Sequence, residues 1–302
     1  MAWWLYMIEC ADQMLYTGTT TSLGRRVGEH NRGIGSSCTA ARRPVRLVYF
    51  ESHPSRSAAQ AREAAIKKLK PAQKRALFAD TEAAFVAPRL WEGATLLDWD
   101  SPLWKGAPTL RVAHFRPESS GHRPKTAVRL GWNDGGLTGV FKVEDRYVLA
   151  RHGVFGSPVC QDSCVEFFVK PPGEAGYLNF EWNAAGTMLA GRVADGRRTE
   201  CGDLEGFAPL TPEEAQEILV SASQKGRVEK EIATPLTWYL SFFMPFALLD
   251  GGGGKTHRPG EVWEANFFKC ADKSSHPHWA SWRPLPARNF HLPENFGFFA
   301  LG

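Results

Sequence analysis

An abrupt change of character near residue 80 divides the sequence. Residues 1–80 carry 13 Lys and Arg against 6 Asp and Glu, whereas residues 81–302 carry 23 against 26. Nine of the 11 tryptophans lie beyond residue 90. Because 302 residues exceed the usual size of a single core, the change predicts two domains, at 1–80 and 90–302, joined by a linker at 81–89.

Residues 1–80 have the pattern of a small α+β domain. Trp4, Tyr6 and Ile8 belong to a period-two run of strand formers. A turn at residues 11–13 returns the chain through Tyr16, so the two strands form a β-hairpin that presents two tyrosines. The further predicted elements are a helix capped by Thr21 or Ser22 and running to His30, a strand over 45–50, a helix over 57–69 with a capping box of Ser57 and Gln60, and a short helix over 71–78.

Residues 90–302 have a different sequence pattern, in which short strand-like runs are separated by turn-forming residues. This pattern predicts an all-β sandwich. The clearest runs are 127–130, 139–143, 165–169 and 238–243.

Composition excludes several classes of protein. A hydrophobic share of 43% with 23% charged residues excludes a largely disordered chain. No apolar run approaches the roughly 18 to 20 residues that span a bilayer, so no membrane partner is predicted. The six cysteines are too scattered for a secreted disulfide scaffold, which favours reduced thiols in a cytoplasm. Cys160 and Cys164 have the spacing of half a metal or redox site, but without a second pair we favour buried strand positions.

The concentration of positive charge in residues 1–80 is typical of a polyanion-binding domain. Each Lys or Arg placed against a phosphate releases condensed counterions, which drives binding. The alternative is a solvated basic surface with no ligand. The charge alone leaves both interpretations open.

The same region holds the groups that phosphodiester hydrolysis requires. The reaction needs a base for the attacking water, positive charge for the phosphorus oxygens and usually a metal ion. Tyr6 and Tyr16 are phenols on adjacent predicted strands, and Arg26 and His30 lie four residues apart on one predicted helix. Taken singly, each has an ordinary structural interpretation; Glu63, for example, can pair with Lys67 one turn further on.

Taken together, these residues lie in motifs that resemble those of the GIY-YIG nuclease superfamily, especially its small bacterial single-domain branch. The resemblance covers residues 2–79 and implies a three-stranded antiparallel sheet with helices. The motifs are Trp4-Leu5-Tyr6-Met7-Ile8, Leu15-Tyr16-Thr17-Gly18, Arg25-Arg26-Val27 with Glu29-His30-Asn31, Arg42-Arg43-Pro44, and Arg62-Glu63-Ala64-Ala65-Ile66-Lys67.

The resemblance implies a role for each candidate residue. Tyr6 would accept a proton from the attacking water, supported by Tyr16 and His30, while Arg26 would stabilise the charged phosphorus. Glu63 would hold one divalent ion, Mg²⁺ or alternatively Mn²⁺, with water completing its shell. The candidate nucleic-acid contacts are Arg25, Arg42, Arg43 and Lys67.

Residues 90–300 resemble the family 9-like carbohydrate-binding modules, which are β-sandwiches that stack sugars on aromatic rings. The resemblance rests chiefly on Asp162-Ser163-Cys164-Val165-Glu166, Asn179-Phe180-Glu181-Trp182-Asn183 and Pro277-His278-Trp279. This chain has Val159 where sugar-binding members carry a tryptophan, and Phe290 at the second platform. The resemblance therefore implies an altered sugar site centred on Phe290.

The leading hypothesis is a cytoplasmic endonuclease that cuts DNA or, as the less favoured alternative, RNA, fused to a sandwich that binds a carbohydrate or another ligand. The alternative is a carbohydrate-binding or interaction protein whose nuclease-like domain only binds nucleic acid or is inactive.

Overall fold

The first elements form a three-stranded antiparallel sheet with helices, as the sequence predicts. The computed structural model describes residues 3–78, 84–91, 97–197 and 204–302. The sheet has the order β2-β1-β3, so the strand that carries Tyr6 is central. The elements are β1 (Trp3–Cys10), β2 (Leu15–Thr20), α1 (Leu23–Arg32), α2 (Ser37–Ala40), β3 (Val45–His53), α3 (Arg56–Lys67), α4 (Pro71–Ala76) and β4 (Ala84–Ala87).

The central strand is buried on both faces, since successive side chains of a strand point to opposite sides. Tyr6 and Ile8 pack in one apolar cluster with Leu23 of α1. Leu5 and Met7 pack in another, with side chains that include one from α3. Helices on both sides of the sheet therefore fix the position of β1.

Two local predictions require correction. The helix α3 is capped by Ser55, whose hydroxyl accepts a hydrogen bond from the Ala58 N–H at 3.2 Å, and not by Ser57. The segment after Gly33 contains the short helix α2, which is not among the predicted elements. Ser36 caps α2 by accepting from the Cys38 N–H. The sequence alone does not decide which serine caps each helix, because a second serine lies within two residues of each capping serine.

The second region is a β-sandwich, and this prediction is confirmed. One sheet has the order β13-β12-β11-β10-β17-β18-β6, and the other has the order β14-β16-β8-β7-β5. The first strands are β5 (Leu110–Val112), β6 (His114–Phe115), β7 (Lys125–Asn133), β8 (Gly136–Asp145), β9 (Val148–Ala150), β10 (Cys164–Lys170), β11 (Tyr177–Asn183), β12 (Met188–Val193) and β13 (Phe207–Pro209). The remaining elements are α5 (Pro212–Gln216), β14 (Leu219–Ala222), β15 (Val228–Ile232), β16 (Leu236–Pro245), α6 (Phe246–Leu249), β17 (Val262–Cys270), β18 (Trp279–Ser281) and β19 (Gly297–Leu301).

Stacked aromatic rings hold the two sheets together. The Phe167 ring of β10 stacks on Phe267 of β17 at 4.8 Å and on Phe242 of β16 at 5.5 Å between ring centroids. Trp182 stacks on the same Phe242 ring at 5.0 Å. These rings are fully buried, so the alternating apolar positions of the strands form the interior of the sandwich.

The chain divides into two compact units. One comprises Met1–Ala87, His257–Trp263 and Gly297–Gly302, and the other comprises Pro88–Thr256 and Glu264–Phe296. The domain limits at residues 80 and 90 stay a prediction. The two compact units differ from it because the first unit also contains β4 and two C-terminal segments. Residues 81–83 of the predicted linker lie outside the described range.

Apolar packing explains why the C-terminal segments belong to the first unit. The strand β19 pairs in parallel with β4. Phe298 meets Phe50 edge to face at 4.4 Å and Trp4 at 6.0 Å between ring centroids, and Val262 is buried in the cluster around Tyr6. No helix among the described residues is long and apolar enough to cross a membrane.

Candidate active site

The phenol of Tyr6 is the centre of the candidate site. It lies on the central strand, directly opposite Gly18 of β2, and its side chain is completely buried. A Cβ at Gly18 would stand 2.6 Å from the Tyr6 hydroxyl oxygen, well inside van der Waals contact. The glycine therefore leaves the space that the phenol occupies.

His30 of α1 forms a hydrogen bond with this phenol. The Tyr6 hydroxyl lies 2.8 Å from His30 Nε2, and His30 Nδ1 lies 2.7 Å from the Thr39 hydroxyl of α2. Because the Thr39 hydroxyl donates its hydrogen to the Ser36 carbonyl at 3.2 Å, it must accept from His30 Nδ1–H. His30 Nε2 is then unprotonated and accepts the hydrogen of Tyr6.

Burial keeps this histidine neutral. Burial first, and the nearby positive charge of Arg26 second, lower the pKa of His30 to about 4. The backbone at Gly35 packs closely against the His30 ring, since a Cβ on Gly35 would stand 2.7 Å from that ring. The imidazole is thus held in one position as a neutral hydrogen-bond acceptor.

Arg26, one turn before His30 on α1, is the cation of the site. Its Nε donates to the Tyr6 hydroxyl oxygen at 3.2 Å, and its Nη1 donates to Glu29 Oε2 at 2.7 Å. Burial raises the pKa of Tyr6 to about 12, while Arg26 opposes that rise by favouring the phenolate. The Arg26 side chain is 27% exposed, so the guanidinium links the buried phenol to solvent.

Tyr16 adds a second ring beside these groups. It lies on β2 opposite Ile8, is half-buried, and meets His30 edge to face with ring centroids 5.0 Å apart. The centroids of Tyr16 and Tyr6 are 6.4 Å apart. The two phenols predicted to lie on adjacent strands do come together.

Glu63 lies on α3, which packs against β1 and β2. Its carboxylate is 18% exposed and accepts a hydrogen bond from Lys67 at Oε1. The negative charge of Glu63 is close enough to contribute to the raised pKa of Tyr6. The structure therefore joins Tyr6, His30 and Arg26 by hydrogen bonds and relates Glu63 to them through its charge.

The four predicted nucleic-acid contacts already have partners within the chain. Arg25 and Lys67 are exposed and pair with the carboxylates of Glu29 and Glu63. Arg42 pairs with Asp12 at 2.9 Å. Arg43, which is exposed, donates to the Ala40 carbonyl at 2.7 Å. A phosphate that bound any of these cations would therefore compete with an intramolecular partner.

Some residues of the site were not predicted. Thr39 fixes the tautomer of His30, and Glu29 holds Arg26. The signal for Thr39 was the serine and threonine run that begins at Ser36, which is typical of a helix start. The signal for Glu29 was its spacing of three residues from Arg26.

The second unit places its two candidate sugar-binding positions side by side. Val159 is fully buried, and the half-buried Phe290 packs against its cluster. One face of the Phe290 ring stacks on Phe268, with centroids 4.3 Å apart and ring planes 14° apart. Trp132, Trp182 and Trp263 are completely buried and so belong to the core.

Comparison with known proteins assigns both regions. The model of the GIY-YIG catalytic domain matches residues 2–76, and the model of carbohydrate-binding family 9 matches residues 106–301. The chain belongs to both families. In the GIY-YIG region, it is 49% identical over 87 residues to a UPF0213 protein of Desulfotalea psychrophila, which covers 28% of this chain and 79% of that protein.

A second relative in the GIY-YIG region is a UPF0213 protein of Halobacterium salinarum. It is 53% identical over 74 residues, covering 24% of this chain and 96% of that protein. In the family 9 region, the fold matches a protein of Bacteroides uniformis that is provisionally named for carbohydrate binding. That match has a TM-score of 0.62 and 25% identity, and it covers 72% of this chain and 99% of that structure.

Proposed function

We propose that the first unit is a metal-dependent endonuclease that hydrolyses phosphodiester bonds of DNA. One observation carries the proposal: the buried Tyr6 hydroxyl lies between a neutral histidine acceptor and an arginine donor. A tyrosine that only fills a core does not need both partners. Membership of the GIY-YIG family supports the same assignment.

The arrangement gives Tyr6 a way to move a proton. Its oxygen accepts from Arg26 and its hydrogen is donated to His30, which leaves an oxygen lone pair for an incoming water. When that water attacks phosphorus, Tyr6 accepts the water proton as its own proton shifts to His30 Nε2. Arg26, partly exposed beside the phenol, stabilises the charge that develops on the phosphorus oxygens.

The single carboxylate of Glu63 fits a hard, strongly hydrated ion such as Mg²⁺ or Mn²⁺. Such ions bind proteins through one or two carboxylates and keep several waters, and Glu63 is partly exposed on the helix beside the phenols. When bound, the ion supplies positive charge for the phosphate oxygens and the leaving group. Lys67 holds one oxygen of Glu63 and so fixes the rotamer of the carboxylate.

A cleavage assay with the full chain tests this function. Plasmid, branched DNA and single-stranded RNA are incubated with Mg²⁺, Mn²⁺ or a chelator. We expect DNA cleavage that the chelator abolishes and that Glu63→Gln and Arg26→Ala each reduce by about 10²-fold or more. The matched controls are Glu213→Gln and Arg32→Ala, two exposed sites, which should cleave normally.

Two results would count against the nuclease. Equal cleavage by wild type, Glu63→Gln and Arg26→Ala would assign the activity to a contaminant. Tight DNA binding without cleavage under every metal condition would support the alternative, a domain that only docks nucleic acid.

We further propose that the second unit binds a carbohydrate at Phe290. Family 9 membership and the half-buried ring of Phe290 support this assignment. A glycan array probed with the full chain should give a signal that Phe290→Ala removes. Phe207→Ala is the matched control, because Phe207 is a half-buried ring packed on the same cluster. A wild-type chain that binds none of the glycans would favour an interaction module.

A further inference from the structure

Thiols and carboxylates gather on the face of the sandwich sheet that points away from the stacked phenylalanine core. Cys164 and Glu166 lie two residues apart on β10. Cys270 of β17 stands directly opposite Cys164, and Glu181 of β11 stands directly opposite Glu166. All four are buried. None of these four residues takes part in the proposed nuclease chemistry or in the carbohydrate binding proposed for Phe290.

The geometry of three of these side chains suits a metal ion. The thiol sulfurs of Cys164 and Cys270 and a carboxylate oxygen of Glu166 all lie within 4.8 Å of one another. The Cys270 thiol donates to Glu166 Oε1 at 3.1 Å. Tetrahedral zinc has bonds of about 2.3 Å to sulfur and about 2.0 to 2.2 Å to oxygen, which separates its ligand atoms by roughly 3.3 to 3.8 Å. Small side-chain movements would bring all three onto one ion.

Cys160 supplies the fourth position. It lies in a single 3₁₀ turn, Val159–Gln161, and packs against the apolar cluster that contains Val159, Cys164 and Cys270. Its thiol lies outside the group of three and would have to turn towards them to become a ligand. The turn is fixed over the pair, because the Cys160 carbonyl accepts from the Asp272 N–H at 3.0 Å. The second half of the metal site, which the sequence lacks next to Cys160 and Cys164, is thus supplied by Cys270 on a strand that is distant in sequence.

The electrostatics of the cluster favour a bound cation. Two directly opposed carboxylates in a buried site repel each other unless they hold protons or a positive ion. The histidines nearest in sequence to Cys270 do not join this cluster, since His278 Nε2 lies 2.8 Å from Lys269 Nζ while the Cys270 thiol donates to Glu166. Thiolate ligands select a soft or borderline ion over a hard ion such as the one proposed for the first unit.

We propose that Cys160, Cys164, Cys270 and Glu166 bind a structural zinc ion in the second unit. The ion replaces the thiol protons and joins the turn before β10 to β10 and β17. Binding therefore releases protons and stabilises the folded sandwich.

The test measures metal in the full chain, purified under reducing conditions from a zinc-supplemented culture. Plasma mass spectrometry should find one zinc per chain, and the metal should be lost from Cys164→Ser and Cys270→Ser. Cys38→Ser is the matched control, because Cys38 is an exposed free thiol, and it should retain the ion.

A second measurement does not depend on the folding of variants. The wild-type chain is stripped with a chelator and titrated with Co²⁺, which should bind once per chain and give thiolate charge-transfer absorption in the near ultraviolet. A stripped chain that melts at the same temperature with and without zinc, or Co²⁺ bound without that absorption, would overturn the proposal. A Cys164–Cys270 disulfide in metal-free protein, found by peptide mass spectrometry, would also overturn it.

Discussion

Each unit contains a buried tyrosine hydrogen-bonded to a histidine, but the surroundings of the two pairs differ. In the first unit, the Tyr6 hydroxyl meets His30 at 2.8 Å and also accepts from Arg26. In the second, the Tyr177 hydroxyl meets His291 Nδ1 at 2.7 Å. Phe168 stacks on Tyr177 and lies 4.8 Å from His291, while Phe296 packs edge-on against Tyr177.

The difference shows that a tyrosine–histidine hydrogen bond does not by itself identify a reactive site. Tyr177 and His291 are packed by aromatic rings, and the bond satisfies two polar groups that would otherwise be costly to bury. The Tyr6 oxygen accepts from a guanidinium, and a glycine lies opposite its ring. The arginine on the phenol oxygen and the close approach of the phenol to Gly18 are the features on which the proposed chemistry of Tyr6 rests.

Removing the hydroxyl of Tyr6 or of Tyr177 should give the largest difference in cleavage rate between the two tyrosine–histidine pairs. We expect Tyr6→Phe to lower the rate of DNA cleavage by about 10²- to 10⁴-fold, because it removes the group that accepts the water proton. Tyr177→Phe should cleave at the wild-type rate. Initial rates on plasmid DNA, with thermal melting to verify folding, provide the measurement. Equal losses in both variants would mean that Tyr6 has only a structural role.

Filling the space beside Tyr6 should have a smaller effect. Gly18→Ala places a Cβ against the phenol hydroxyl, and the fully buried ring has little room to move away. We expect about a 10- to 100-fold loss of cleavage rate, since a displacement of about 1 Å can cost about 10²-fold. Gly121→Ala is the control, because a Cβ there meets nothing within 4 Å. Unchanged cleavage by Gly18→Ala would show that Tyr6 need not keep this position.

The neutral state of His30 should make the first unit sensitive to acid. The pKa of His30 is lowered to about 4 by burial, against about 6.5 in an unfolded chain. The unfolded state therefore binds more protons between these values, and stability present above pH 6.5 is lost as the pH falls towards 4.

The expected loss is on the order of 2 kcal/mol, and His30→Gln should weaken the pH dependence. The check is denaturant unfolding at a series of pH values. Exchanging the exposed His114 for Gln should leave the dependence as it is in wild type. An identical slope in wild type and His30→Gln would exclude a buried neutral His30.

The smallest effect concerns the stability of the second unit. Tyr177→Phe removes the hydrogen bond to His291 and leaves the aromatic packing in place. We expect a destabilisation of about 1 kcal/mol, the usual net contribution of one hydrogen bond. Unfolding followed by tryptophan fluorescence would measure it. A loss of glycan binding in this variant without a loss of stability would instead point to a role for Tyr177 in ligand contact.

Short-range patterns predicted most of the fold. The alternation around Tyr6 predicts β1, and a capping residue at Thr21 or Ser22 predicts the start of α1, because each signal depends on neighbours within one element. The pairing of Tyr6, Tyr16, Arg26 and His30 followed from placing those elements in the family arrangement. The chemical roles of all these residues, of Glu63 and of the four basic residues stay predictions, since they concern a substrate or a metal ion.

Long-range contacts could not be predicted in this way. Nothing in the local sequence of Phe298 or Val262 indicates that they pack around Trp4 and Tyr6, more than two hundred residues earlier. The opposition of Cys164 and Cys270 depends on a strand register that only the folded sheet sets. Five cysteines are free thiols in the structure, and Cys201 lies outside the described residues.

The parallel pair of β4 and β19 has a consequence for synthesis. At about 5 to 20 residues per second, the ribosome makes residues 297–301 roughly 10 to 40 s after residue 87. During that interval the nascent N-terminal region lacks Phe298 and exposes the apolar surface around Trp4 and Phe50. The first unit would therefore complete its fold only after the second unit has been synthesised, which makes its final packing a post-translational step.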